Sequence, residues 1–252
     1  MSFQGTLTLG YIFLSGIIVY LEGTGKFNAP YGKFRKTYFH RLAITTRAGM
    51  FIAHFVPTML VLTIYFKYGD WCNSYHLATF GFLFGHYVKR MLETLFLHRY
   101  AGNLCQFSVI YLTVYHSIIA TTCCYSIFNN HSKIGLSELL CPIPLIMYSW
   151  LGNLWHHSIL MELRPRKGKY NVLRSYRVPK RGWFRWVVCP HYCFECFAWF
   201  GFALIARTTL VFAVTIFLSA SMISRGFQTR RWYLNNIEEF PVDRWCIIPF
   251  LL

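Results

Sequence analysis

Seven apolar segments, each roughly 20 residues long, follow one another along the chain and set its class of fold. A helix needs about 20 mostly apolar residues to cross the hydrocarbon core of a bilayer, and only helices and closed barrels satisfy their backbone polar groups there. The sequence therefore predicts an all-α polytopic membrane protein. About seven transmembrane helices are expected, at residues 6–22, 48–66, 76–97, 104–127, 136–160, 188–205 and 208–224.

Composition supports a membrane protein over a soluble one. Hydrophobic residues make up 55% of the 252 residues and charged residues only 13%, which is too apolar for one soluble domain of this size. The formal net charge of +16 suggests nucleic acid at first, but the Lys and Arg residues occur in blocks between apolar segments. Such blocks orient a protein in a bilayer and bind phosphate, so no nucleic-acid partner is expected.

The connections between the apolar segments alternate between strongly and weakly basic. The first connection carries six Lys or Arg residues and no acid, whereas the second carries one Lys and one Asp. Strongly basic connections remain on the cytosolic side of a membrane. The pattern predicts a lumenal N-terminus and a cytosolic C-terminus, in the endoplasmic reticulum if the source is eukaryotic.

Polar residues inside the third, fifth and sixth segments fall at the cytosolic ends of those segments. Ionisable groups within a span are costly and mark functional sites by default. Helical spacing places Tyr87 with Arg90 on one face and His191 with Glu195 on another. We therefore predict a cavity on the cytosolic side, lined by His86, Tyr87, Lys89, Arg90, Glu93, Asn153, His156, His157, His191, Tyr192 and Glu195.

The loop from Leu163 to Val187 contains nine Lys or Arg residues and no acid. A cationic loop between two apolar spans is a place for an anionic group at the membrane surface, and we interpret that group as a dinucleotide. Arginine suits phosphate because its planar fork binds two oxygens at once. The chain has neither a GxGxxG fingerprint nor a P-loop, so helices and loops must hold the dinucleotide.

Metal chemistry is a weaker alternative. Membrane di-iron oxygenases use several histidine clusters, and only His156 and His157 form a pair here. Cys189, Cys193 and Cys196 share one helical face, but a single apolar helix without a second ligand pair favours packing. No metal site is predicted.

Several motifs, taken together, resemble the steroid 5α-reductase and trans-2-enoyl-CoA reductase family. They are GNLWHHSILMELRP at 152–165, SYRVPKRGWFRWVVCPHYCFECFAWFGFALIA at 175–206 and RRWYLNNIEEFPVDRWCIIPFLL at 230–252. HYVKRMLETLFLHRY at 86–100 resembles the enoyl-CoA reductase branch in particular, and APYGKF at 29–34 resembles an element of the steroid reductases.

The resemblance implies a seven-helix membrane enzyme that uses NADPH to reduce a carbon–carbon double bond conjugated to a carbonyl. It implies one reductase domain over residues 1–252, with substrate-side helices at about 1–100 and the NADPH-binding part at about 101–252. By motif position, Tyr87 is the expected catalytic tyrosine, assisted by Arg90 or Lys89. The expected cofactor contacts are Arg90, Asn153, His157, Arg164, Tyr176, His191, Glu195, Arg225 and Tyr233.

Several positions depart from the steroid-reductase pattern. His157 stands where those enzymes have Asp and the enoyl-CoA branch has His, whereas His191 replaces an Asn and Arg230 replaces a His. In the stretch HFVP, Phe55 occupies the place of the Glu that holds the steroid ketone. These departures favour a trans-2-enoyl-CoA, reduced to a saturated acyl-CoA in fatty acid elongation beside the other elongation enzymes. A 3-oxo-4-ene steroid substrate and a catalytically inert lipid-binding scaffold remain as alternatives.

Overall fold

A computed structural model describes residues 2–26, 43–100, 102–130, 132–164 and 177–251. Most of these residues are helical. The helices are α1 (Phe3–Thr24), α2 (Thr46–Tyr68), α3 (Ser74–Leu92), α4 (Gln106–Phe128), the short α5 (Leu136–Leu139), α6 (Pro142–Glu162), α7 (Pro190–Ala206) and α8 (Thr209–Asn236). The APYGKF stretch and the middle of the basic loop lie outside the described residues.

The long helices occur where the apolar segments predict them. Four of them, α1, α2, α4 and α8, are long and apolar enough to cross a membrane, which makes the chain an integral membrane protein. Helices α3, α6 and α7 carry the polar residues of the predicted cavity. That these three also cross the bilayer stays a prediction.

Local chemistry fixes where the helices begin. The hydroxyl of Thr45 accepts a hydrogen bond from the Ala48 amide at the start of α2, and Asn73 and Thr208 cap α3 and α8 in the same way. Helices α6 and α7 have proline in their first turn, where its missing amide hydrogen costs nothing. These signals are all local, and this explains why the sequence locates the helices well.

The main core lies between α2, α3, α4, α7 and α8. Phe82 of α3 stacks on Phe202 of α7 with ring centroids 4.4 Å apart. The buried Tyr75 hydroxyl donates to the carbonyl oxygen of Ala206 at 2.6 Å. These contacts fix α3 against α7, the two helices that carry most of the charged side chains described below.

Three features depart from the predicted all-helical layout. Strands β1 (Ala43–Thr45) and β2 (Asn103–Cys105) form an antiparallel ribbon that joins the starts of α2 and α4. Helix α8 continues to Asn236, beyond the predicted end at 224. The C-terminal segment pairs with the chain before α7, where the amides of Val188 and Cys189 donate to the carbonyls of Trp245 and Cys246.

Candidate active site

Glu93 is the centre of a buried ion network. It begins a π-helical turn (Glu93–Leu97) that extends α3, and it is 3% exposed. Its carboxylate lies 2.6 Å from Lys89 Nζ, 2.9 Å from Arg90 Nη1 and 3.2 Å from His157 Nδ1. A buried carboxylate is tolerated only when it is paired in this way, and π-helical turns are frequent at functional sites.

Asn153 joins the three helices of the network. Its amide oxygen accepts from Lys89 Nζ of α3 at 2.6 Å. Its amide nitrogen donates to the backbone oxygen of His191 at 2.8 Å and to Glu195 Oε2 at 3.3 Å, both on α7. Because both ends of this buried amide are engaged, Asn153 sets the relative positions of α3, α6 and α7.

Glu195 is the second carboxylate of the network. Its Oε1 lies 3.9 Å from Nε2 of His86, and the His86 ring packs against Trp199 at 5.1 Å. Around these groups is a crevice with about 180 Å³ of space between atoms, which is smaller than a typical small-molecule pocket of roughly 300–1,000 Å³. It is lined by His86, Lys89, Ser149, Trp150, Asn153, Phe194, Glu195 and Ala198.

Three imidazole rings continue the network toward the end of α6. The rings of His98 and His157 are 4.8 Å apart, and those of His157 and His191 are 5.3 Å apart. Burial, together with the nearby His157 and Arg90, lowers the pKa of His98 to about 2, so this ring is neutral at physiological pH. Nδ1 of His191 is buried without a hydrogen-bond partner among the described residues, which is the state expected of a group that meets a ligand.

Two arginines lie at the edge of the network. Arg99 Nη1 donates to the backbone oxygen of Arg164 at 3.0 Å, and Arg164 donates to the backbone oxygen of Arg99 in return. Together with Lys89 and Arg90 they bring four cations to a region whose carboxylates, among the residues in these contacts, are Glu93 and Glu195. The local excess is positive, as an anionic ligand requires.

Tyr87 points away from the ion network. It is 1% exposed, and its hydroxyl donates to the backbone oxygen of His116 on α4 at 3.0 Å. Its ring is edge-on to His86, with centroids 5.5 Å apart. The predicted catalytic hydroxyl therefore lies next to the network and contacts it through a neighbouring ring.

The structure does not bring every predicted cofactor contact into this network. Arg225 and Tyr233 are buried farther along α8, where Tyr233 stacks on Phe240 at 4.9 Å. Tyr233 belongs to a second apolar cluster that includes the start of α7 and the C-terminal segment. Tyr176 lies outside the described residues. Arg230 ties down the C-terminal segment by donating to the backbone oxygens of Arg244 and Val242.

The sequence analysis placed Glu93 and Lys89 near the cavity without assigning either as a cofactor contact. The signal that selected Glu195, a carboxylate inside an apolar segment, applies equally to Glu93. The same signal does not reach His98, because this residue follows the predicted span. Its contact with His157 depends on the π-helical turn, which no periodicity in the sequence indicates.

The carboxylate of Glu93 and the rings of His98 and His157 also have the spacing of a metal site. Their candidate ligand atoms all lie within 4.8 Å of one another. Lys89 and Arg90 already contact both oxygens of Glu93, and a divalent cation there would be repelled by both side chains. The electrostatics favour an ion-pair network over a metal centre.

Comparison with known proteins gives one matching family and several relatives. Residues 97–252 match the family described as 3-oxo-5-alpha-steroid 4-dehydrogenase. An uncharacterized protein of Schizosaccharomyces pombe is 28% identical over an alignment of 295 positions that covers 100% of both chains. A probable very-long-chain enoyl-CoA reductase of Caenorhabditis elegans is 28% identical over 190 residues, which is 70% of this chain and 58% of that protein. The 3-oxo-5-alpha-steroid 4-dehydrogenase 1 of Rattus norvegicus is 21% identical over 267 residues, 98% of each chain.

Proposed function

Because the chain belongs to the 3-oxo-5-alpha-steroid 4-dehydrogenase family, we propose that it uses NADPH to reduce a carbon–carbon double bond conjugated to a carbonyl in a lipid substrate, and that this substrate is a trans-2-enoyl-CoA. The observation that carries the proposal is the buried, cation-rich network in which Glu93 and Asn153 join α3, α6 and α7. An inert scaffold has no need to bury such a network.

The residues of the network fit NADPH. Arg164 and Arg99 provide guanidinium forks for phosphate at the edge of the network. The unpartnered Nδ1 of His191 and the amide of Asn153 supply polar groups deeper inside. The crevice of about 180 Å³ is too small for the whole cofactor, so we expect binding to separate side chains that now contact one another.

When bound, NADPH supplies a hydride. In this scheme the protein positions the substrate carbonyl against Tyr87, whose hydroxyl exchanges its present acceptor, the backbone oxygen of His116, for the carbonyl oxygen. Arg90 and Lys89, one and two turns of contacts away in the network, stabilise negative charge that develops during reduction. Asn153 and Glu195 hold α6 and α7 in the positions this geometry requires.

The surroundings of Phe55 favour a thioester over a steroid ketone. Phe55 is 40% exposed on the outer face of α2 and stacks on Phe51 with ring centroids 5.5 Å apart. No acid therefore reaches the interior from this position. The relative that aligns over most of both chains, the rat steroid dehydrogenase, makes steroid reduction the second candidate.

The test uses the purified protein in lipid nanodiscs with NADPH. Loss of reduced-nicotinamide absorbance is followed with a trans-2-enoyl-CoA of long acyl chain and, separately, with a 3-oxo-4-ene steroid. We expect consumption with the enoyl-CoA, and Tyr87→Phe should lower turnover while thermal stabilisation by NADPH is kept. Consumption with the steroid alone would reverse the ranking of the substrates, and consumption with neither, without NADPH stabilisation, would refute the proposed function.

We further propose the topology given by the basic connections, with a lumenal N-terminus, a cytosolic C-terminus and, in a eukaryotic cell, an endoplasmic reticulum membrane shared with other elongation enzymes. Cys72 follows α2 and Cys141 precedes α6, and both are exposed. Both connections are lumenal in this topology. A membrane-impermeant maleimide should therefore label them in sealed microsomes only after permeabilisation, with Cys72→Ser and Cys141→Ser as controls. Labelling of intact microsomes at these cysteines would invert the topology.

A further inference from the structure

Imidazole rings from three neighbouring helices lie beside Tyr87. His54 is on α2, His86 on α3 and His116 on α4. The ring centroid of Tyr87 is 5.5 Å from that of His86 and 6.1 Å from that of His116, and His54 is 5.2 Å from His116. Ionisable side chains inside apolar helices are costly and indicate function by default.

The contacts of His54 determine its neutral tautomer. Its Nδ1 lies 2.7 Å from the backbone oxygen of Met50. Because a carbonyl oxygen only accepts hydrogen bonds, Nδ1 carries the hydrogen and Nε2 carries the lone pair. His54 can therefore take up a proton at Nε2 and keep its contact with Met50.

His116 is the ring whose nitrogens have no assigned task. Neither nitrogen makes a hydrogen bond or an ion pair with any residue in the described part of the chain. His86 differs, because its Nε2 faces Glu195 at 3.9 Å and so belongs to the ion network. The charged and titratable groups around His116 are His54 from α2, Tyr87, His86 and Arg90 from α3, Tyr115 from its own helix and Glu195 from α7.

The reduction proposed above consumes one proton for each double bond, in addition to the hydride. Tyr87 is 1% exposed, so water does not reach its hydroxyl directly. The residue that accepts its hydrogen bond is His116, through the backbone oxygen. We propose that His116, with His54 behind it, restores the proton that Tyr87 gives to the substrate; this inference rests on the proposed function.

The step balances as follows. The β-carbon receives the hydride, with oxidation of NADPH to NADP⁺, and the O–H bond of Tyr87 breaks as its proton goes to the α-carbon. An N–H of His116 then reprotonates the tyrosine oxygen, while the other nitrogen of the same ring takes the proton held on Nε2 of His54. Water replaces that proton. The sum is one hydride and one proton added across the double bond, with the protein unchanged.

His116→Gln tests the inference, with His76→Gln as the matched control. His76 lies at the opposite end of α3, where its Nδ1 accepts from the Asp70 amide at 3.0 Å. We expect His116→Gln to lower kcat about 100-fold or more, the range of lost acid–base catalysis. The solvent deuterium isotope effect on kcat should rise and the effect of 4-deuterated NADPH should fall, because proton transfer becomes limiting. His76→Gln should change neither isotope effect.

Two further measurements exclude a structural explanation. Thermal stabilisation by NADPH, measured without substrate, should be the same in His116→Gln, His76→Gln and the unaltered protein. Added imidazole should restore part of the turnover of His116→Ala, since it fills the space left by the ring, and it should not affect His76→Gln.

The outcomes separate this inference from the proposed function. If the unaltered protein reduces an enoyl-CoA and His116→Gln does so at a similar rate with unchanged isotope effects, the inference is wrong and the proposed function stands. If His116→Gln loses NADPH stabilisation together with turnover, or imidazole rescues nothing, the role of His116 is structural and the inference is wrong. If the unaltered protein reduces neither substrate, both fail together.

Discussion

Replacing Glu93 by Gln removes one negative charge and almost no volume from the interior. The carboxylate is 3% exposed and contacts Lys89, Arg90 and His157 at 2.6–3.2 Å. Without it, two buried cations lose their nearest counter-charge. Removing one partner of a buried ion pair costs about 3–5 kcal/mol, which for a chain of this size lowers the unfolding midpoint by roughly 6–20 °C.

Thermal unfolding in nanodiscs, followed by intrinsic tryptophan fluorescence, measures this effect. The chain supplies a charge-matched control, because Glu162 pairs with Arg181 at 2.7 Å and both side chains are more than half exposed. Glu162→Gln should cost less than about 1 kcal/mol, as exposed pairs do. Adding Lys89→Met to Glu93→Gln should recover part of the loss, since the two side chains are in contact and their effects are coupled.

Equal midpoints for Glu93→Gln and Glu162→Gln would refute this reasoning. Such a result would mean that solvent screens Lys89 and Arg90 without Glu93, and that the network does not hold α3 against α6. A further loss in the double variant, in place of a recovery, would show that Lys89 stabilises the fold by a contact other than Glu93, such as the one with Asn153.

Two other substitutions test separate parts of the structure. Arg164→Ala should weaken NADPH binding more than NADH binding, measured by thermal stabilisation with each cofactor, because a guanidinium fork at the edge of the network suits the extra phosphate; equal weakening would remove Arg164 from the phosphate site. Gly152→Ala should destabilise the protein by about 1–3 kcal/mol, because the new methyl group would come within 2.4 Å of the Phe194 ring and push α6 from α7. Gly81→Ala, whose added methyl group meets nothing within 4 Å, is its control in the same melting experiment, and it should be neutral or stabilising because alanine favours helix.

The positions of the long helices and the convergence of several polar side chains followed from local sequence. Apolar length, end caps and helical spacing involve residues close together in the chain. For this reason Arg90, Asn153, His157, His191 and Glu195 were expected on one side of the membrane, and the structure brings them into one network. Their roles as cofactor contacts stay predictions.

The tertiary structure alone decided which of these groups lies at the centre and which way each one faces. The π-helical turn rotates Glu93 onto His157, and the rotation of α3 against α4 turns the Tyr87 hydroxyl to His116. The C-terminal segment draws Tyr233 into a second cluster with Phe240. Helical periodicity gives the face of a single helix, but the rotation of one helix against another is set by packing between residues far apart in the chain, and this the sequence does not specify locally.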